Sequence, residues 1–96
     1  MSQVAAFLQD PDSRLDYTID WSQWLPSGDT VVDSTWASSS INMTLSDDSF
    51  STTTTTVWIA FGVAAAEGDQ YEATNHIVTA LGRQEDRTLF MKVETR

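Results

Sequence analysis

Ninety-six residues, a net charge of −9 and no cysteine narrow the possibilities at once. The length makes one small domain. The missing cysteine excludes disulfides and thiolate metal sites, and the acidic balance argues against a nucleic-acid partner, because phosphate binding needs a basic patch. No apolar run approaches the ~18 residues of a membrane span, so no membrane partner is expected, and the start Met1–Leu8 lacks the basic segment and long apolar core of a signal peptide. The charge is uneven: residues 1–50 carry eight Asp against one Arg, and residues 51–96 six acids against four bases.

Residues 1–14 read as an N-terminal arm, the first nine of them as an arm or an edge segment, and residues 15–96 as the folded β-sandwich domain. Phe7 and Leu8 either dock on a partner or cover the protein's own sheet, and Pro11 interrupts regular structure by removing a donor. From Leu15 the pattern turns strictly alternating. Leu15, Tyr17, Ile19 and Trp21 interleave with Asp16, Thr18, Asp20 and Ser22, the period of a half-buried strand. Pro26–Asp29 is a turn. Thr30–Trp36 forms a strand with Val32, Ser34 and Trp36 on one face and Val31, Asp33 and Thr35 on the other. Ile41, Met43 and Leu45 mark the next strand, and Ser46–Ser49 reads as a turn.

The threonine run at 52–56 favours a strand because threonine is β-branched; it continues through Val57, Ile59 and Phe61 as one long strand. Gly62–Gly68 is loop-like. Gln70–Leu81 places Tyr71, Ala73, Asn75, Ile77 and Thr79 on one side, and Gly82–Asp86 is a turn. Arg87–Glu94 closes the chain with Leu89, Met91 and Val93 inward and Phe90 outward. No segment sustains a 3.6-residue period. Six or seven strands at this spacing predict an all-β fold: one small antiparallel β-sandwich, immunoglobulin-like but without its disulfide, with a small barrel as the other solution. Trp36 or Trp58 fills the space between sheets that a disulfide would take.

Little in the chain suggests chemistry. His76 is the only histidine, no nucleophile turn accompanies it, and a lone strand histidine is usually structural. The paired acids Asp10/Asp12, Asp47/Asp48, Glu67/Asp69 and Glu85/Asp86 fall mostly in turns, where Asp bonds nearby backbone N–H groups. Asp10, Asp12 and Asp16 offer clustered oxygen, but without the glycine and terminal glutamate of a helix-loop-helix calcium site. No catalytic residue, metal ligand or cofactor is therefore assigned. Trp21, Trp36 and Trp58 lie in strand patterns where core packing is the default. Trp24 sits near a turn and is the tryptophan best placed for exposure at an interface. Phe7, Leu8, Trp24 and Phe90 are the candidate partner-interface residues.

The order of short motifs carries a resemblance. Asp10-Pro11-Asp12, Leu15-Asp16-Tyr17 and Asp20-Trp21-Ser22 open it. Gly28-Asp29-Thr30, Ser34-Thr35-Trp36, and a threonine segment leading to Val57-Trp58 follow. Tyr71, Thr74, Asn75, Ile77 and Thr79 come next, then Gly82, Arg83, Asp86, Arg87 and Thr88. From about residue 10 onward the chain resembles a family of small bacteriophage virion proteins described as capsid cement or fibre-tail adaptor proteins. The alanine-rich Gly62–Gln70 loop is longer than the family pattern. The resemblance implies a non-enzymatic virion protein, assembled in the host bacterial cytoplasm, whose partner is the major capsid protein or a neck or tail protein of the same phage. A capsid cement protein bracing the head shell is the leading expectation, with self-assembly as a trimer. The alternative is a neck or tail fibre-tail adaptor, and a more distant one a free adhesion or carbohydrate-binding module.

Overall fold

The computed structural model describes residues 3–95 and consists of seven strands: β1 (Gln3–Gln9), β2 (Arg14–Asp20), β3 (Val31–Ser38), β4 (Met43–Phe50), β5 (Thr54–Phe61), β6 (Gln70–Thr79) and β7 (Gln84–Val93). Met1, Ser2 and Arg96, the outermost residues of the expected arm and domain, lie outside the described residues. The strands form a four-stranded sheet of order β1-β7-β6-β3 and a three-stranded sheet of order β2-β5-β4. The molecule measures 43 × 23 × 19 Å. An immunoglobulin constant-type sandwich also separates its second, fifth and fourth strands from its third, sixth and seventh. Here the first strand lies in the sheet of the seventh rather than beside the second.

The core lies between the sheets, built by alternation. Ile19, Val57, Ile59 and Met43 face it from the three-stranded sheet; Val31, Tyr71, Ala73, Ile77, Leu89, Met91 and Val93 face it from the other. β6 alternates cleanly, with Tyr71, Ala73, Asn75, Ile77 and Thr79 all buried. Trp21, immediately after β2, is fully buried and is the tryptophan that fills the space between sheets. Trp36 only packs partly against this core. Trp58 is on the outer face, opposite Asp16, with the Arg14 guanidinium 4.5 Å from its ring centroid.

A polar chain crosses the core where a disulfide is absent. The Trp21 indole N–H donates to Thr55 Oγ1 at 3.1 Å, and Thr55 Oγ1 donates to Asn75 Oδ1 at 2.7 Å. Asn75 Nδ2 donates to Ser34 Oγ and to the Thr35 carbonyl, each at 2.9 Å. β2, β5, β6 and β3 are thus joined through side chains that satisfy one another, as buried polar groups must be.

Three expectations are corrected. The sandwich is not wholly antiparallel: β1 pairs with β7 in parallel, Ala6 opposite Phe90 and Leu8 opposite Lys92. Each connection reverses the chain, so odd-numbered strands all run one way and the first strand laid beside the last must be parallel to it. In β3 a bulge inserts one residue between Val31 and Asp33, so Val31 is buried with Ser34 while Val32 is 51% exposed. Ser46–Ser49 is a bulge within β4, not a turn, with Asp47 at φ 49°. Asp adopts that left-handed conformation more readily than most residues. The chain reverses later, at residues 51–53, where the Ser51 hydroxyl accepts from the N–H groups of Thr53 and Thr54.

Gln9 fixes the end of β1. It is 1% exposed, donates to the Ile59 carbonyl of the opposite sheet at 2.9 Å, and accepts from the Tyr17 hydroxyl at 2.7 Å. Residues 3–9, read from sequence as an arm or an edge segment, form this edge strand.

Candidate interaction surface

Alternation along β1, β7 and β6 decides which side chains reach solvent. Phe7, Tyr71 and Met91 point to the core side; Ala6, Leu8, Gln70, Glu72, Phe90 and Lys92 form the opposite face. Phe90 lies across from both Ala6 and Glu72, and Lys92 across from both Leu8 and Gln70. Ser39 closes the far side: its N–H donates to the Glu72 carbonyl, and its hydroxyl accepts from the Glu72 N–H, both at 2.9 Å. Together these residues line a groove of about 390 Å³. Leu8 is 47% exposed at its rim, and Phe90 is half-buried in it.

Three of the four candidate residues therefore meet. Leu8 and Phe90 are on the groove face, and Phe7 lies beneath, its ring 4.9 Å from that of Tyr17. Trp24 is elsewhere. It follows β2 at the opposite end of the sandwich, half-buried, and packs edge-on against Trp21 at 5.5 Å and 72°.

The two ends of the sandwich differ. At one end the β3–β4 and β5–β6 loops are joined by the Gly62 N–H donating to the Asn42 carbonyl at 2.7 Å. Flanking that bond, Ile41 and Val63 are 97% and 108% exposed, the most exposed large aliphatic residues described. Asp69 pins the longer loop. Its carboxylate accepts from the Ala66 N–H and the Tyr71 hydroxyl, each at 2.9 Å. These bonds, the Ala66 N–H foremost, hold its pKa below the ordinary value against a smaller opposing effect of burial. The Tyr71 phenol is pushed up by burial first and then by Asp69, and so stays a donor. The sequence shows no sign of Ile41, since it continues the alternation of Met43 and Leu45. Val63 had one signal: a β-branched residue directly after a glycine in a loop.

At the other end, Asp29 joins the β2–β3 loop to the β6–β7 turn. Its Oδ1 accepts from the N–H groups of Thr30 and Leu81 at 2.9 and 3.0 Å. Burial acts to raise its pKa, but hydrogen bonds from Thr79, Leu81 and Thr30, with Arg83 nearby, bring the net value below the ordinary one. Leu81 and Phe50 are exposed at this end. Gly82 turns the chain at φ 88°, a conformation that favours glycine. Arg87 covers the Trp21 ring at 4.3 Å.

The residues considered for chemistry are spread out. His76 is on the outer sheet face, bonded through Nδ1 to Asp86 and through Nε2 to Gln84. Asp10 accepts from the Asp12 N–H within a turn, and Asp16 lies on the outer face of the other sheet. Among the described residues no three acidic, histidine or cysteine side chains converge as a metal site.

A family profile described as Podophage GP4 fiber-tail adaptor protein gp77 matches residues 9–92. The chain belongs to this podophage fiber-tail adaptor family. The match begins at the last residue of β1 and takes in nearly all of the remaining fold. No curated protein matches the chain at a significant level. The family is one of structural phage proteins, and its description fits the stated alternative better than the leading expectation. It supports the adaptor alternative and lends nothing to a capsid cement role.

Proposed function

We propose that this protein is a tail-side structural adaptor of the virion, a β-sandwich that joins a fibre to the tail by binding another tail protein of the same phage. The observation that carries this reading is the family match across residues 9–92. The geometry agrees with a connecting role. The sandwich is 43 Å long and about half as wide, and it exposes large apolar residues at both ends, Ile41 and Val63 at one and Leu81 and Phe50 at the other. Apolar side chains at separated ends suit a module that holds two neighbours, since interface energy concentrates in a few desolvated side chains. Each contact alone is small, and repetition of the module in an assembly raises the effective concentration of the second contact.

Cryo-electron microscopy of virions tests the reading. Density for the sandwich between tail and fibre is expected, with one or both ends seated on neighbouring proteins. Density confined to the head shell, or absence from the particle, overturns it.

A further inference from the structure

We propose that the groove on the outer face of β1, β7 and β6 is the contact between two copies of this chain, related by a twofold axis. The argument starts from charge. A chain of net charge −9 repels its own kind unless the meeting surfaces are balanced. The groove lining holds one acid, Glu72, and one base, Lys92, around Ala6, Leu8 and Phe90, and so carries no net charge. Of the other described bases, Arg14 is paired with Asp47, Arg83 lies 4.0 Å from Asp29, and Arg87 covers Trp21. Lys92 forms no ion pair among the described residues and has its charge available for a second molecule.

A twofold contact must be self-complementary: residue i of one copy meets residue j of the other, and j meets i. The strand register supplies that condition. Glu72 lies directly across from Phe90, and Lys92 stands two residues farther along β7, so the two charges sit diagonally about the aromatic ring. An axis in the plane of the contact, running between Lys92 and Glu72, brings each copy's Lys92 over the other's Glu72. The same rotation sets the two Phe90 rings side by side, and the exposed flank of Leu8 extends the apolar centre. Both charge pairs and the aromatic contact come from one face of one chain. A basic or acidic foreign partner would leave one of the two charges facing its own sign.

The proposal is independent of the adaptor reading, because the isolated full-length chain tests it. Sedimentation equilibrium over a concentration series, in about 0.15 M salt to limit long-range repulsion, is compared for wild type, Lys92→Glu, Glu72→Lys and the double variant. Wild type is expected to dimerise. Each single reversal sets like charges against each other twice and should weaken the dimer at least about tenfold. The double variant restores both pairs with inverted sign and should return to within about threefold of wild type. Phe90→Ala should weaken the dimer without any rescue. Glu72 and Lys92 are exposed, so the charge variants should melt as wild type does, which separates lost association from lost folding. A monomer at every concentration, a closed trimer, or an association that ignores these substitutions overturns the proposal.

Discussion

Asn75→Ala should be among the most damaging single polar substitutions in this chain. Asn75 is fully buried in the middle of β6. Its side chain makes three hydrogen bonds, accepting from Thr55 and donating to Ser34 Oγ and the Thr35 carbonyl. A typical internal hydrogen bond contributes about 1 kcal/mol net, and a buried group left unpaired forfeits about 1–3 kcal/mol. Truncation removes all three bonds and leaves the Thr35 carbonyl and the Thr55 and Ser34 hydroxyls short of a partner. The loss should reach about 3–5 kcal/mol. A 96-residue domain has about 5–15 kcal/mol in total, so the variant stands near the edge of folding. For this size the melting temperature should fall by at least about 12 °C. Urea denaturation monitored by tryptophan fluorescence and by far-ultraviolet circular dichroism measures the change and tests two-state behaviour together. Thr88→Ala, which breaks a hydroxyl pair with Thr74 on the outer face, is the control and should change stability by under about 0.5 kcal/mol. A loss below about 1 kcal/mol for Asn75→Ala would refute the idea that this network holds the sheets in place.

Three further outcomes are expected. Gln9→Ala removes the bonds to the Ile59 carbonyl and from the Tyr17 hydroxyl; it should destabilise by about 2–3 kcal/mol and raise amide exchange in β1 above that in β6, and equal exchange in both strands would count against an anchoring role. Stability should be fully present above the ordinary carboxylate value of 3.8 and should fall as pH drops toward the folded pKa values of Asp20, Asp29 and Asp69, all lowered in the native state; urea midpoints from pH 2 to 6 measure this slope, and Asp29→Asn should flatten it, while an unchanged slope would exclude Asp29. Trp21→Ala should cost about 3–5 kcal/mol as a buried aromatic truncation, whereas Trp58→Ala, on the outer face under Arg14, should cost about 1 kcal/mol or less; comparable losses in thermal melts would contradict their opposite placement.

Much of the fold was legible because half-buried strands announce themselves by alternation. Tyr71 to Thr79 and Leu89 to Val93 lie as their spacing predicts. Two of the differences share one cause: a bulge inserts a residue and changes which side chains face inward without leaving a mark in composition. That is why Val32 was placed with Ser34 and why Ser46–Ser49 resembled a turn. Trp58 misled for another reason. A large aromatic in an alternating run looks like core, yet its register partner Asp16 faces water, and pairing across strands is not written in either segment alone. Part of the groove's lining was also legible. Phe90 was placed outward by its parity, and the groove formed only when β1 came to lie against β7, a contact about eighty residues distant along the chain. Ile41 could not be foreseen, because its exposure depends on where two strands end, and Val63 was marked only by following a glycine in a loop.

The parallel pairing of β1 and β7 has a mechanical consequence. Tension applied at the free ends of these two strands pulls them in opposite directions along their length. Every hydrogen bond from Gln3–Thr88 to Gln9–Val93 is then loaded at once, rather than one after another as when a hairpin is peeled from its open end. Separation requires sliding the whole ladder, together with the Gln9 anchor into the opposite sheet. The fold is thus built to resist stretching along its long axis more strongly than its modest size suggests.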